Sequence, residues 1–259
     1  MAVLTRRGRI AVLEFSGTIG GAVRTSTFLP LLRAVERSRR YAALVLSIDS
    51  PGGTVAASEE LYRAVGRVAA MKPVVAYLGG TGASGAYYIA CAARSIVALP
   101  SSVVGSIGVI YVRPVLTELM GKAGVSLGVY KSSEHKDMTG FWRLPTPEEG
   151  RKFQGLVDDL YAEFVDVVAK ARKMDAARVR DLATGEVFTG RRAQELGLVD
   201  GLDDLDGVVA AMAAELGISP RRVAYLRPRR PLFRRLFGGM VEELVDAVEG
   251  RLMGGAWFR

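Results

Sequence analysis

Few residues in this 259-residue chain are equipped for covalent chemistry. It has one cysteine, Cys91, and one histidine, His135. A disulfide framework, a cysteine-rich zinc site and any device built on two histidines of one chain are therefore excluded. Serine, lysine, carboxylates and backbone groups remain, and no metal or cofactor is expected. Among the serines, Ser84 has a distinctive setting, in Gly80-Thr81-Gly82-Ala83-Ser84-Gly85 between an apolar run and a short helical pattern. The segment matches G-x-G-x-x-G, but the acidic residue that a dinucleotide fold places about 20 positions on is missing. No Asp or Glu occurs between Glu60 and Glu118, and no Gly-Lys-Ser/Thr follows to make a phosphate loop.

The other chemistry this turn offers is a nucleophile. A serine where a parallel strand meets a helix is aimed out of the carboxyl edge of the sheet, close to a helix N-terminus that favours developing negative charge. Such a serine can equally be a helix N-cap, and the turn alone favours the cap. A nucleophile also needs an oxyanion hole and a base. A second glycine loop, Ser50-Pro51-Gly52-Gly53, follows the preceding strand at the same edge. The amides of Gly53 and Gly85 are the candidate donors. For the base, His135 would follow the commonest pattern, and Lys136 beside it competes. A lysine in that role must be uncharged, which requires burial or a neighbouring positive charge. The residues alone leave both open.

The elements that must carry these residues are legible as apolar runs. Arg9–Phe15, Ala43–Ile48, Pro73–Leu78 and Ser95–Leu99 read as strands, with Gly79–Gly85 a glycine-rich turn. Phe28–Arg39 and Ala56–Ala70 between them have helical periodicity. Strand-helix-strand succession implies right-handed crossovers and an α/β fold with a largely parallel sheet. Val125–Lys131 alternates like a further strand. Pro147–Lys173 is a long helix with Phe153, Leu156, Val157, Leu160, Phe164, Val167 and Val168 on an apolar stripe. Shorter helices are expected at Asp175–Leu182, Arg191–Leu196 and Leu205–Leu216. Segment 219–231 reads as a linker and Leu232–Leu252 as a final amphipathic helix. The chain thus divides into a domain over 1–218 and an Arg-rich tail over 219–259.

Composition is that of a globular protein, with 49% hydrophobic and 24% charged residues, which argues against disorder. The net charge of +8 is local. Seven arginines fall within 219–237, leaving 28 basic and 27 acidic residues elsewhere, so no nucleic-acid partner is implied. The uncharged runs Pro73–Ala93 and Ser95–Val112 are broken by Gly, Ser and Pro and read as buried core, not membrane spans. With arginines in MAVLTRRGRIAVLEF where a secretion signal needs its apolar stretch, a cytoplasmic location is expected, with membrane association the alternative if an N-terminal anchor has been removed.

Several segments together resemble the signal peptide peptidase A family, serine proteases with a crotonase/Clp-protease type of spiral fold. They are Asp49-Ser50-Pro51-Gly52-Gly53 with Ser58-Glu59; Gly82-Ala83-Ser84-Gly85-Ala86-Tyr87-Tyr88-Ile89-Ala90; Val104-Gly105-Ser106-Ile107-Gly108-Val109; Lys131 through Met138; and Phe188-Thr189-Gly190-Arg191 with Glu195-Leu196-Gly197-Leu198-Val199-Asp200. The resemblance spans residues 9–215 and implies a Ser–Lys dyad. Ser84 matches the nucleophile, Lys136 the general base, Ser106 a residue that holds the lysine, and Gly53 an oxyanion donor. Relatives carry an N-terminal anchor, and longer ones duplicate the domain with lysine and serine in different halves. This chain has one copy of each, so the resemblance implies a dyad formed between neighbouring subunits of a homo-oligomeric ring. It also implies peptide substrates that are hydrophobic and extended, such as remnant signal peptides. A peptidase of the stomatin-operon type and a crotonase-like acyl-CoA enzyme or scaffold are the alternatives. The tail could pack on its own domain, dock a neighbouring subunit or touch anionic lipid.

Overall fold

Strand-length apolar runs separated by amphipathic helices set the architecture, which the computed structural model describes for residues 8–228. The first half alternates regularly: β1 (Arg9–Ser16), α1 (Thr25–Arg37), β2 (Tyr41–Ser50), α2 (Val55–Ala69), β3 (Val74–Ala83), α3 (Gly85–Ala90), β4 (Ser95–Ala98) and β5 (Val103–Gly105). An irregular arm follows, with α4 (Thr117–Lys122) and a 3-10 turn over Glu134–Asp137. The chain then forms α5 (Pro147–Arg172), α6 (Ala176–Leu182), β6 (Val187–Thr189), α7 (Gly190–Glu195), β7 (Gly201–Leu202), α8 (Leu205–Leu216) and β8 (Val223–Leu226).

The sheet runs β6-β5-β3-β2-β1-β8, with β4 beside β3 and β7 beside β4. Every pairing is parallel except β5 with β6. Period-2 geometry sorts the continuous apolar strands into two cores. Leu44, Leu46 and Ile48 of β2 join Leu13, Phe15, Leu61 and Val65 under α1 and α2. Ala43 and Val45 face the other way, against Val209 and Met212 of α8.

β3 does the most to position the site, because it forks. Its first half, Val75–Leu78, pairs with β4, and its second half, Thr81–Ala83, pairs with β5. Gly79–Ala83, read from sequence as a turn, is therefore strand. Between the halves β3 bulges away from β2, with Ile48 opposite Leu78 but Ser50 opposite Gly82. Asp49 Oδ1 accepts the Thr81 N–H at 2.8 Å and fixes the bulge.

Two further expectations are corrected. Val125–Lys131 forms no strand: it has no neighbouring edge among the described residues, and Val125, Leu127 and Val129 are half-exposed. Alternation without a partner does not make a strand. The stretch read as a linker contains β8, whose Val223–Leu226 pairs with Ile10–Leu13, so the compact unit reaches Leu226 and not residue 218. The expected helix Leu232–Leu252 lies outside the described residues. Among those described, no helix is long and apolar enough to cross a membrane.

Helix α5 begins as expected. The Thr146 hydroxyl accepts from Glu149 N, the Glu149 carboxylate accepts from Thr146 N, and Pro147 occupies the first helical position. Its apolar stripe is only partly core. Phe164, Val165 and Val168 in the C-terminal half are buried, whereas Leu156 is half-exposed and Val157 and Leu160 look onto a cleft.

Candidate active site

Ser84 sits at the sharp step from β3 into α3. Its backbone is at φ 51°, ψ −126°, a region costly for any residue with a Cβ. Neighbouring bonds hold it there: Ser84 N–H donates to Gly105 O at 2.8 Å, and Tyr88 N–H donates to Ser84 O at 3.0 Å. An N-cap serine adopts extended dihedrals and accepts a helix N–H. Ser84 does neither, and its hydroxyl makes no capping bond. The cap favoured by the turn alone is thus excluded, leaving a partly exposed serine whose hydroxyl is not engaged by its own helix.

The glycine loop after β2 closes against this step. Ser50 Oγ accepts Gly52 N–H at 3.2 Å, and Gly52 has φ 102°. A Cβ on Gly52 would come within 2.8 Å of both Ser84 Cβ and Gly85 N. Gly53 is wedged as tightly, since a Cβ there would lie 2.0 Å from Ile19 O. Its nitrogen lies 3.4 Å from where a Gly85 Cβ would stand. Among the described residues neither the Gly53 nor the Gly85 N–H donates to any acceptor. Two free amides converging beside a free hydroxyl can hold an oxyanion.

Ser106 joins them through register. Ala83 pairs with Gly105, so Ser84 and Ser106 are the next residues on adjacent strands. Ser106 has φ 49°, and its N–H donates to Glu186 O at 2.6 Å, tying it to the segment before β6. Ser84, Gly85, Gly53 and Ser106 all line one cleft of about 670 Å³. Its apolar wall comes from Tyr88 of α3 and from Val157, Leu160, Tyr161 and Phe164 of α5. Tyr88 packs edge-on to Phe164 and to Tyr62, at 5.2 and 5.0 Å between ring centroids. Burial and the nearby carboxylates of Glu163 and Glu59 push the Tyr88 hydroxyl far up, so it stays neutral. Ser58 lies beneath Gly85 and donates to Thr54 O at 2.9 Å.

Lys136 and His135 are elsewhere. Both belong to the 3-10 turn Glu134–Asp137, which contributes nothing to the lining of the cleft. Lys136 is exposed, and His135 Nε2 lies 3.5 Å from Glu148 Oε1. Within one chain the structure gathers four of the five sequence-derived site residues and leaves out the base. Ser58 and Tyr88 stand in the sequence motifs without an assigned role, and the α5 wall is not legible there as part of a site. The helical spacing of Val157, Leu160 and Phe164 carried the signal for the wall, but it was assigned to core. Among the described residues no group of three metal-ligating side chains occurs.

A strained serine beside two unpaired amides at the mouth of an apolar cleft is the equipment of a serine hydrolase acting on acyl groups. The comparisons narrow the class. The profile of peptidase family S49 matches residues 67–219. A putative protease of Synechocystis is 40% identical over 235 residues, covering 90% of this chain and 84% of that protein. The chloroplastic serine protease SPPA of Arabidopsis thaliana is 31% identical over 237 residues, covering 87% of this chain but 35% of its own length. The backbone is similar to that of a membrane-bound stomatin-specific protease, with a TM-score of 0.54 at 16% identity over 86% of this chain and 99% of that one. The chain belongs to peptidase family S49, the serine-endopeptidase class that the cleft and its serine define. It spans about a third of the length of the longer relatives it matches.

Proposed function

We propose that this chain is a Ser–Lys endopeptidase whose active site is completed between subunits and whose substrates are extended, hydrophobic peptides such as remnant signal peptides. Ser84 Oγ attacks the scissile carbonyl and passes its proton to Lys136 Nζ of a neighbouring copy. The amides of Gly53 and Gly85 receive the oxyanion. The lysine ammonium then protonates the leaving amine, and water hydrolyses the acyl-enzyme by the reverse relay. Ser106, one strand over from Ser84, accepts a hydrogen bond from the lysine and holds it in line. Each oxyanion donor contributes about 10²–10³ in rate in comparable sites.

The single observation carrying this reading is the free Ser84 hydroxyl on its strained step between two unpaired amides. The cross-subunit part is supported by the arm that bears Lys136. Along residues 106–145 large apolar side chains face solvent in the single chain, with Ile110 86%, Val112 79%, Tyr130 99% and Leu144 70% exposed. So many large apolar side chains left exposed on one arm suit a protein contact. The unpaired, alternating Val125–Lys131 segment fits the same contact. The apolar cleft wall suits hydrophobic substrate side chains and, once closed by a neighbour, excludes the water that would keep an amine charged.

Co-expression of Ser84→Ala and Lys136→Ala chains tests the proposal, with a fluorogenic hydrophobic peptide as substrate. Each single variant is inactive. Random mixing in a ring restores about a quarter of the sites, since a working site then needs the intact serine of one chain and the intact lysine of its neighbour. Activity retained by Lys136→Ala alone would remove the dyad. Silence in the mixture, with both variants assembled by native mass, would remove the cross-subunit site.

A further inference from the structure

The residue after the proposed base is a carboxylate, Asp137, and a free carboxylate there would hold the amine in its charged form. The structure disposes of it. Arg143 Nε and Nη2 both donate to Asp137, each at 3.0 Å, and Lys131 Nζ donates to the same carboxylate at 2.7 Å. Arg143 is simultaneously forked onto Glu149, with Nη1 to Oε2 at 2.8 Å and Nη2 to Oε1 at 2.5 Å. Glu149 is itself part of the capping box of α5, so the guanidinium bolts the Lys136 turn to the start of that helix. Arg113 adds to the clamp by donating to the carbonyls of Met138, Gly140 and Arg143. The side chains of Asp137 and Glu149 are 9% and 3% exposed, whereas Lys136 between these anchors is exposed and bound to nothing described.

We infer that Arg143 is a positioning residue for the proposed base: it binds and neutralises the Asp137 carboxylate, so that the amine can lose its proton while its turn stays fixed on α5. The inference rests on the Ser84–Lys136 reading. Among the described residues the charged groups near Asp137 are these, with Arg113 on the carbonyls that follow it. Lys131 and Glu134 share its loop, and Arg143 and Glu149 face it from the turn into α5. Behind them, Glu148 faces His135 and Lys152. The Arg143 and Lys131 hydrogen bonds hold Asp137 well below the usual carboxylate range, so it is ionised wherever the enzyme works. Its negative charge is neutralised by partners and not by protonation. A merely structural brace would not care about that charge, whereas this one acts through it.

The test is the pH profile of kcat/KM on the assembled full-length chain. Arg143→Met frees part of the Asp137 charge, and the ascending limb of the profile moves to higher pH by about one unit, the low end for an opposite charge within a few ångströms. Activity at neutral pH falls about tenfold, while the alkaline plateau is largely kept. Adding Asp137→Asn to Arg143→Met returns the limb toward its wild-type position. Should Arg143→Met fail to fold because Glu149 is left unpaired, Lys131→Met keeps the Arg143–Glu149 fork and removes one partner of Asp137. It moves the limb the same way by a smaller amount, and Asp137→Asn again reverses the shift. An even loss of rate at every pH, or a shift that Asp137→Asn does not reverse, overturns the inference. Lys136→Ala is measured alongside. If it stays active, the dyad itself has failed; if it is dead and the limb does not move, only the role of Arg143 has.

Discussion

The packing of Gly85 on Ser58 gives a sharp test of how the oxyanion loop is built. In Gly85→Ala the new Cβ would stand 2.2 Å from Ser58 Oγ, about 1 Å inside van der Waals contact, and 3.2 Å from Ser58 Cβ. Ser58 is 3% exposed, so its hydroxyl cannot escape to solvent. Turning it aside breaks the 2.9 Å bond to Thr54 O and leaves a buried hydroxyl unpaired, at about 1–3 kcal/mol. With residual strain, Gly85→Ala is expected to lose about 2–3 kcal/mol of stability. Ser58→Ala alone loses about 1 kcal/mol, the net worth of one hydrogen bond. In the double variant the colliding oxygen is absent and the two Cβ atoms need part by only a few tenths of an ångström. The double mutant should therefore be more stable than Gly85→Ala, with a coupling of about 1–2 kcal/mol between residues in direct contact. Catalysis follows the same logic, because displacing the Gly85 amide weakens the proposed oxyanion hole. A loss of about 10² in kcat is expected in Gly85→Ala, with partial recovery in the double variant. Urea unfolding and single-turnover hydrolysis across the four proteins measure both. Additive stabilities within about 0.5 kcal/mol would refute the collision, and an unaltered kcat in Gly85→Ala would refute the role of the amide.

Three further outcomes are expected. Glu149 is held at about 2 by its bonds from Arg143 and from the Thr146 N–H, below its unfolded value of about 4.3, so the stability it lends is complete above that value and is lost as pH falls toward 2. The Tm gap between wild type and Glu149→Gln should thus be widest near neutrality and narrow steadily from pH 5 to pH 3; a gap independent of pH contradicts the pairing. Burial pushes the Cys91 thiol up to about 12, so a disulfide reagent at pH 8 should label the folded chain only at the rate of opening and the urea-unfolded chain at once, whereas rapid stoichiometric labelling of the native protein would show that the α3 core is not closed. Phe164→Ala should cost about 3–5 kcal/mol in urea unfolding and raise KM for a hydrophobic peptide, since the ring is buried against Tyr88 and also lines the cleft; an unchanged KM would place substrate elsewhere.

How far the chain can be read before it is folded depends on where the determining contacts lie. Strands β1, β2 and β4 and helix α8 are visible as apolar runs and periodicity, because their burial is encoded residue by residue. The fork and bulge of β3 are not, because they depend on the Asp49 carboxylate reaching Thr81 across 32 positions, and locally Gly79–Ala83 has the composition of a turn. Strand β8 was hidden for the opposite reason: Val223–Leu226 is ordinary, and only its pairing with β1 separates it from the arginine-rich sequence around it. Val125–Lys131 has the alternation of a strand and no partner among the described residues. Pattern alone gives the capacity to pair, and the neighbour decides whether pairing occurs.

The serine step shows the same division at the level of chemistry. Taken by itself, Ser84 before a short helix favours a cap, since capping is what serine most often does there. What overrides that preference is non-local: Gly105 O draws the Ser84 N–H across to β5, and the glycine loop packs so close that a side chain at Gly52 would meet Ser84 Cβ. The outcome is a positive φ at Ser84, and another at Ser106, its register neighbour. Each such residue costs about 1–3 kcal/mol and persists only where its surroundings over-determine it. Two on adjacent strands, both opening onto one cleft, cannot be accounted for as turn chemistry or as packing. They fit a site in which the hydroxyl is kept free of its own helix, and among the described residues neither Lys136 nor His135 lines the cleft onto which it opens. If the base is Lys136, it must come from outside the cleft that Ser84 occupies, so assembly would be a catalytic requirement and not only a means of covering apolar surface.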